Sequence, residues 1–430
     1  MANNIFKKKD RNDIPNEWKI VKLKDVATDF ISGGTPSTSN DEFWGGNIPW
    51  MRSAHITKRE IDFGEKYITE RGLINSATNI VNKSNILVAT RVGIGKVAIN
   101  KVDIAISQDL TGVILNKRKI DENYLYWFLS NSTNKFLSLT QGTTIKGILR
   151  KDLELFKIFL PPIIEQRGIA EVLSTVDEAI QRTDAVIAKA QELKRGLMQR
   201  LLTRGIGHTK FKQTELGEIP ETWKIERLAK CLKLCDYGLS YQLLDKGKYP
   251  IFRMNNIIDG YVLENDLKYI NLSDNEFSKY KVEKGDILFN RTNSYDLVGK
   301  VGIYLLQGNH TFASYLIRLR VDKNKIEPLF LNYFLNLSRT QNKLRRLATR
   351  GVSQSNINAS NLKTLLTPLP ILNEQHKIVN ILSNTDQEIR MEKKKKEKLE
   401  ELNKGLMQVL LTGKIRVRWD GSGLHRIWDG

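Results

Sequence analysis

Two cysteines in 430 residues are too few for a disulfide framework, which leaves a reducing, cytoplasmic setting as the default. The five histidines form no His-Glu-x-x-His or other zinc spacing. No apolar run approaches the roughly 20 residues that span a bilayer. The opening stretch, residues 1–13, carries basic residues with no apolar segment behind them, so it does not read as a signal peptide. The Asn-Pro-Pro-aromatic and Asp-Pro-Pro-aromatic motifs of methyltransferases are missing, and no nuclease-like carboxylate cluster is evident. Gly33-Gly34-Thr35-Pro36 and Gly93-Ile94-Gly95-Lys96-Val97 lack the Lys and following Ser or Thr of a phosphate loop and read as turns. Acid is in deficit, with 48 Asp and Glu against 68 Lys and Arg, a net charge of +20. That balance favours an anionic partner, of which nucleic acid is the commonest. Part of the excess, Lys393 to Lys398, reads instead as a solvated helical stretch.

What is present is a repeat. Ile14-Pro15-Asn16-Glu17-Trp18-Lys19-Ile20 returns as Ile219-Pro220-Glu221-Thr222-Trp223-Lys224-Ile225. Leu160-Pro161-Pro162-Ile163-Ile164-Glu165-Gln166 returns as Leu369-Pro370-Ile371-Leu372-Asn373-Glu374-Gln375. Gly196-Leu197-Met198-Gln199 returns as Gly405-Leu406-Met407-Gln408, each followed by Leu-Leu-Thr. The order and spacing of the blocks are kept while the stretches between them diverge, as expected for one scaffold carrying two adapted surfaces.

Within each copy Asn85 to Ala89, Asp286 to Phe289, Ile104 to Leu115 and Phe312 to Val321 are predicted strands. Tyr124 to Leu137 and Pro328 to Leu347 are predicted amphipathic helices. There is no regular βαβ alternation, so the domains are predicted to be α+β. A long helix follows each Leu-Pro block. Ile169, Leu173, Val176, Ile180, Thr183, Ile187, Ala190, Leu197 and Leu201 step by four and three, and only Lys194 breaks the stripe. In the second helix Ile378, Leu382, Thr385, Ile389, Leu399, Leu406 and Leu410 match, with Glu392 and Lys396 weakening the middle. Two such stripes predict an antiparallel coiled coil separating two globular domains, with a pseudo-twofold internal duplication.

Here the chain resembles the specificity subunit of type I restriction-modification systems. Ser32-Gly33-Gly34-Thr35-Pro36-Ser37 and Trp44-Gly45-Gly46-Asn47-Ile48-Pro49-Trp50 are similar to a frequent opening of that family's recognition domains. The two Leu-Pro blocks with Glu-Gln, and Lys194 to Gln199 and Asn403 to Gln408, resemble the ends of its conserved helical regions. The resemblance implies a first target-recognition domain at 1–159, a central conserved helix at 160–206, a second domain at 207–368 and a distal helix at 369–419. Residues 420–430 have no counterpart in the first half and read as a short tail or a cloning remnant. It further implies that each domain reads half of a split double-stranded DNA target, while the helices set the spacing and dock two modification subunits. The chain itself would be non-catalytic and hold no cofactor. S-adenosylmethionine would bind the modification subunits, and ATP with Mg would serve the restriction subunits of the full complex. Two rival readings are a self-contained DNA-modifying enzyme and a two-domain protein-binding adaptor.

Base reading needs polar side chains on surface loops, because these match groove donor and acceptor patterns. Three loop positions per copy fit, each after an apolar scaffold segment. The first holds Arg52, Ser53 and His55, or Arg253, Asn255 and Asn256. The second holds Thr90 and Arg91, or Asn290, Arg291, Thr292 and Asn293. The third holds Gln141, Thr143, Thr144 and Lys146, or Arg350, Ser353, Gln354 and Asn356. Glu165, Gln166, Glu374 and Gln375 lie at helix starts, where a carboxylate is favoured by the dipole; partner contact is the sharper reading. Cys231 and Cys235 align with Val26 and Phe30, so core packing is expected rather than metal binding. Trp18 and Trp223 are likewise expected in the core.

Overall fold

Apolar strands that alternate with turns need sheets to bury them, and each copy builds one large sheet on the same frame. The computed structural model describes residues 14–140, 147–350, 354–419 and 425–429. It consists of two units, Met1–Asp184 with Lys394–Gly430, and Ala185–Lys393. In the first unit a five-stranded sheet runs Ala27–Ser32, Leu110–Leu115, Ile86–Ala89, Val97–Asn100, Glu60–Ile61. In the second, six strands run Leu232–Tyr237, Leu316–Val321, Ile287–Asn290, Val301–Ile303, Tyr261–Val262, Ile257–Ile258. Val113 faces Phe30 and Ile86 in one ladder, and Leu319 faces Cys235 and Ile287 in the other. The cysteines therefore stand where Val26 and Phe30 stand. Burial pushes both thiols up to about 11, as for thiols packed in an apolar surrounding.

Two predicted elements are subdivided. Ile104–Ile106 belongs to a four-stranded sheet and Leu110–Leu115 to the five-stranded one, so a run read as one strand crosses between sheets. Thr311–Phe312 and Leu316–Val321 divide in the same way. The predicted helices also break, into Glu122–Ser130 with Thr133–Ser138, and Pro328–Asn336 with Ser338–Arg346. Leu337 leaves the helical region at φ −63°, ψ 132°, a local turn that periodicity does not register.

Each domain closes where it opened. Lys19–Lys22 pairs antiparallel with Lys157–Leu160, and Lys224–Arg227 with Leu366–Leu369. The long helices Ile163–Arg204 and Leu372–Leu410 leave directly from these closing strands. Within the first unit Glu165 meets Arg416 while Asp184 meets Lys396. Within the second, Glu374 meets His208 while Lys194 meets Asp386. In both, position falls along the distal segment as it rises along the central one, so the helices within these segments pack antiparallel. Ile169, Leu173, Thr183 and Ile187 are buried along the central helix, and Ile378, Leu382, Thr385 and Ile389 along the distal one. The two lysines that interrupt the apolar stripes are the ones answered by carboxylates of the facing helix. After Leu410 the chain enters a hairpin, with Ile415–Trp419 paired to His425–Asp429. The boundary drawn between 419 and 420 therefore falls inside one hairpin.

Candidate nucleic-acid interface

A strand end that must hand its chain to a loop needs its last peptide groups paired elsewhere. Thr90 N–H donates to Asp109 O (2.9 Å), and Thr90 O accepts from Ile148 N–H (2.8 Å). Arg291 N–H donates to Tyr315 O (3.0 Å), and Arg291 O accepts from Ile357 N–H (2.9 Å). These bonds tie the second loop position to the third in each domain. In the second domain the tie widens into a sheet in which Thr292–Asn293 pairs with Ser355–Asn356, and that with Thr349–Arg350. The first position joins as well. Lys96 Nζ reaches Ala54 O (3.5 Å), and Asn293 Nδ2 reaches Met254 Sδ (3.3 Å). In the second domain three loops far apart in sequence thus meet on one edge, and in the first domain the first two loops meet beside Ile148.

The same bonds agree with the alignment of Ile86-Leu87 on Ile287-Leu288. Arg291 is the counterpart of Thr90, and Arg91 that of Thr292. Thr90 is buried, its hydroxyl near Asp109 O and Thr111 Oγ1, while Arg91 is exposed. Arg291 is half-buried over the Tyr237 ring, 4.6 Å from its centroid, with Nη1 3.3 Å from Ser314 O. No carboxylate pairs with Arg291 among the described residues.

Several candidates prove to be scaffold. Ser53, Asn256 and Asn290 are fully buried. Asn256 receives Arg253 N–H (2.8 Å) and donates to Leu263 O, holding its own loop. Buried side chains cannot meet a base edge, so Ser53, Thr90, Asn256 and Asn290 are withdrawn as readers. Arg52, His55, Arg91, Asn255 and Gln354 are exposed, and Arg253, Arg291, Thr292, Asn293 and Asn356 half-buried. Asn356 donates to Thr292 Oγ1 (2.8 Å). Arg350 lies in a strand of this edge. Gln141, Thr143, Thr144, Lys146 and Ser353 lie outside the described residues.

The helix-start residues are inside too. Trp18 Nε1 donates to Glu165 Oε2 (3.0 Å) and Trp223 Nε1 to Glu374 Oε2 (3.1 Å). Arg416 donates twice more to Glu165, and Glu374 Oε1 accepts from Ile206 N–H and faces His208. Gln166 bonds Asp121 N–H, Lys119 O and Pro161 O; Gln375 bonds Glu327 N–H, Lys325 O and Pro370 O. With these bonds the four residues lock domain to helix. The tryptophans are core residues, as expected. Gly33 and Gly34 form a packing turn, where an added Cβ would come within 2.0 Å of Ile106 O and 2.6 Å of the Ala77 carbonyl carbon.

Sequence reasoning missed Glu65 and Asp266, which hold Arg52 and Arg253. Their distance in the chain from the loop arginines concealed them. No group of His, Cys, Asp and Glu suited to a metal occurs among the described residues, and no described helix is long and apolar enough to cross a membrane.

The family model for the type I restriction modification DNA specificity domain matches residues 15–192 and again 220–401. The MjaVIII specificity subunit of Methanocaldococcus jannaschii is 28% identical over 416 residues, 94% of each chain. The putative MjaX specificity subunit of the same organism is 41% identical over 207 residues, 47% of this chain and 48% of that one. Among solved structures, the type I restriction-modification S subunit from M. genitalium aligns with a TM-score of 0.60 at 17% identity, covering 94% of this chain and 97% of the other. That likeness is one of fold.

Proposed function

The chain belongs to the type I restriction modification DNA specificity family, and from that premise we propose that it supplies the address of such a system. Each domain reads one half of a split double-stranded target. The antiparallel helices set the unread gap and dock two modification subunits. Those subunits bind S-adenosylmethionine and transfer the methyl group; a restriction subunit uses ATP with Mg to translocate and cut. This chain contributes no catalytic group.

One observation carries the reading. In both domains equivalent main-chain bonds tie the second loop position to the segment at or just after the third, and a side-chain contact brings in the first, yet the residue types at these positions differ. A constant frame with variable polar tips is what two different short sequences require, since base edges are told apart by donor and acceptor pattern. Methylome sequencing of cells carrying the chain with its modification subunits tests this. The expected result is a single two-part methylated motif that disappears when the chain is deleted. Methylation that persists without the chain, or transfer by the purified chain alone, would refute the reading.

A further inference from the structure

Arg52 is exposed on the loop edge of the first domain, and its side chain is not free to swing. Nε donates to Glu65 Oε2 (3.0 Å) and Nη2 to Glu65 Oε1, a side-on, two-bond grip. His55 Nδ1 faces the same carboxylate at 2.8 Å. Exposure runs in the opposite sense along the pair: the Glu65 side chain is 9% exposed and that of Arg52 46%. The carboxylate is thus the inner anchor and the guanidinium the outer tip. A guanidinium has five N–H donors in a planar fork. The grip uses Nε and one hydrogen of Nη2, which leaves the end-on edge, Nη1 with the second hydrogen of Nη2, pointing away from Glu65. That edge has the spacing to take guanine O6 and N7 together. Lys96, bonded to Ala54 O on the same loop, adds positive charge beside it.

The second domain carries a related pair with the exposure reversed, the Arg253 side chain being 21% exposed and that of Asp266 70%. Arg253 Nη2 donates to Asp266 Oδ2 (2.9 Å), and Asn255 Nδ2 adds a bond to the same oxygen (3.2 Å). In both domains the carboxylate lies 13 residues after the arginine. The intervening sequences have little in common, so the pairing is kept while its surroundings change.

We propose that Arg52 reads a guanine in the first half-site through its end-on edge, with Glu65 as the positioning residue that fixes this edge. This rests on the DNA-reading function proposed above. A pre-held arginine gives up less rotational freedom on contact, so more of each hydrogen bond appears as discrimination between bases.

The test is selection from a duplex pool randomised over both half-sites, using the full chain with its modification subunits. The parent should select a guanine at one first-half position. Arg52→Ala should lower the preference for that guanine roughly tenfold to a hundredfold, and Glu65→Ala should lower it by a smaller factor. Second-half preferences should hold in both, serving as the internal check on folding. The exchange Arg52→Glu with Glu65→Arg restores the ion pair; under this proposal it leaves the guanine preference lost, whereas recovery would mean that the pair only braces the loop. Unchanged first-half preferences in Arg52→Ala would also overturn the proposal. If the parent selected no sequence at all, the DNA-reading function itself would fall.

Discussion

The helix pair is built differently in the two units. In the second unit Lys194 enters the seam and meets Asp386 at 2.5 Å, and Asp386 also accepts from Tyr261 and Tyr333 hydroxyls at 2.7 Å each. The alignment that carries Glu165 onto Glu374 and Leu197 onto Leu406 places Asp177 where Asp386 stands and Asn403 where Lys194 stands. In the first unit Asn403 is buried and its side-chain oxygen has no partner. Asp177 takes a bond from Gln181, and burial holds its carboxyl above the usual range. One unit thus carries a satisfied polar cluster and the other a half-finished one. A buried pair adds little net stability over apolar packing, but it penalises every register that separates its members. The duplication kept the frame of the seam and let its polar content drift.

The largest effect should come from breaking the better cluster. Asp386→Ala leaves the Lys194 ammonium without a counter-charge and two tyrosine hydroxyls without an acceptor, at a cost of about 3–5 kcal/mol. Asp177→Ala should change stability by about 0.5 kcal/mol at most. Denaturant unfolding with hydrogen exchange resolved to each unit measures both, and equal losses would erase the contrast.

The domain locks come next. Glu165 holds the permanent cation Arg416 through two N–H bonds, while Glu374 holds a main-chain N–H and an imidazole. Glu165→Gln should therefore cost about 1.5–3 kcal/mol and Glu374→Gln about 1 kcal/mol, read by the same exchange experiment. A greater loss in the Glu374 variant would reverse the ranking of the two locks.

The reading loops give a comparison of similar size in binding. Arg291→Ala should lower discrimination at one second-half position by about 1–3 kcal/mol. Thr90→Ala, its main-chain counterpart, should leave first-half preferences alone because Thr90 is buried, whereas Arg91→Ala should relax them. Titration against duplexes with single-base changes decides this. A relaxed first half-site in Thr90→Ala would mean that the buried hydroxyl shapes the loop after all.

The smallest effect is a pH dependence. A carboxyl whose folded pKa is raised binds its proton more readily in the native state, so stability falls as pH rises from below the unfolded value through the folded one. Asp177→Asn removes that loss and should help the first unit more at pH 7 than at pH 4, as seen by unfolding at both. A greater gain at pH 4 would show that the charged form is the stabilised one.

The repeat, the α+β domains, the two long helices and their antiparallel pairing were all legible in the residues. Each follows from patterns that act locally or recur: periodic apolar positions, Leu-Pro stops and duplicated blocks. So were the core roles of Cys231, Cys235, Trp18 and Trp223, because alignment between copies places each among apolar positions. Side-chain destinations were not legible. Arg91 and Arg291 share a loop position, yet Arg91 is exposed while Arg291 stands where Thr90 stands and is half-buried. Ser53, Thr90 and Asn256 have the chemistry of base readers but face inward. Glu165, polar and next to a helix start, is closed off by a tryptophan and an arginine from the two far ends of the chain. Lys194, which looked like a flaw in the stripe, is completed by Asp386. Periodicity depends on neighbours a few residues away, so the sequence alone determines the type of the long segments but not where they break. Whether a polar group is spent or free depends on partners that may lie 13 or 251 residues off, and only the tertiary fold brings those together.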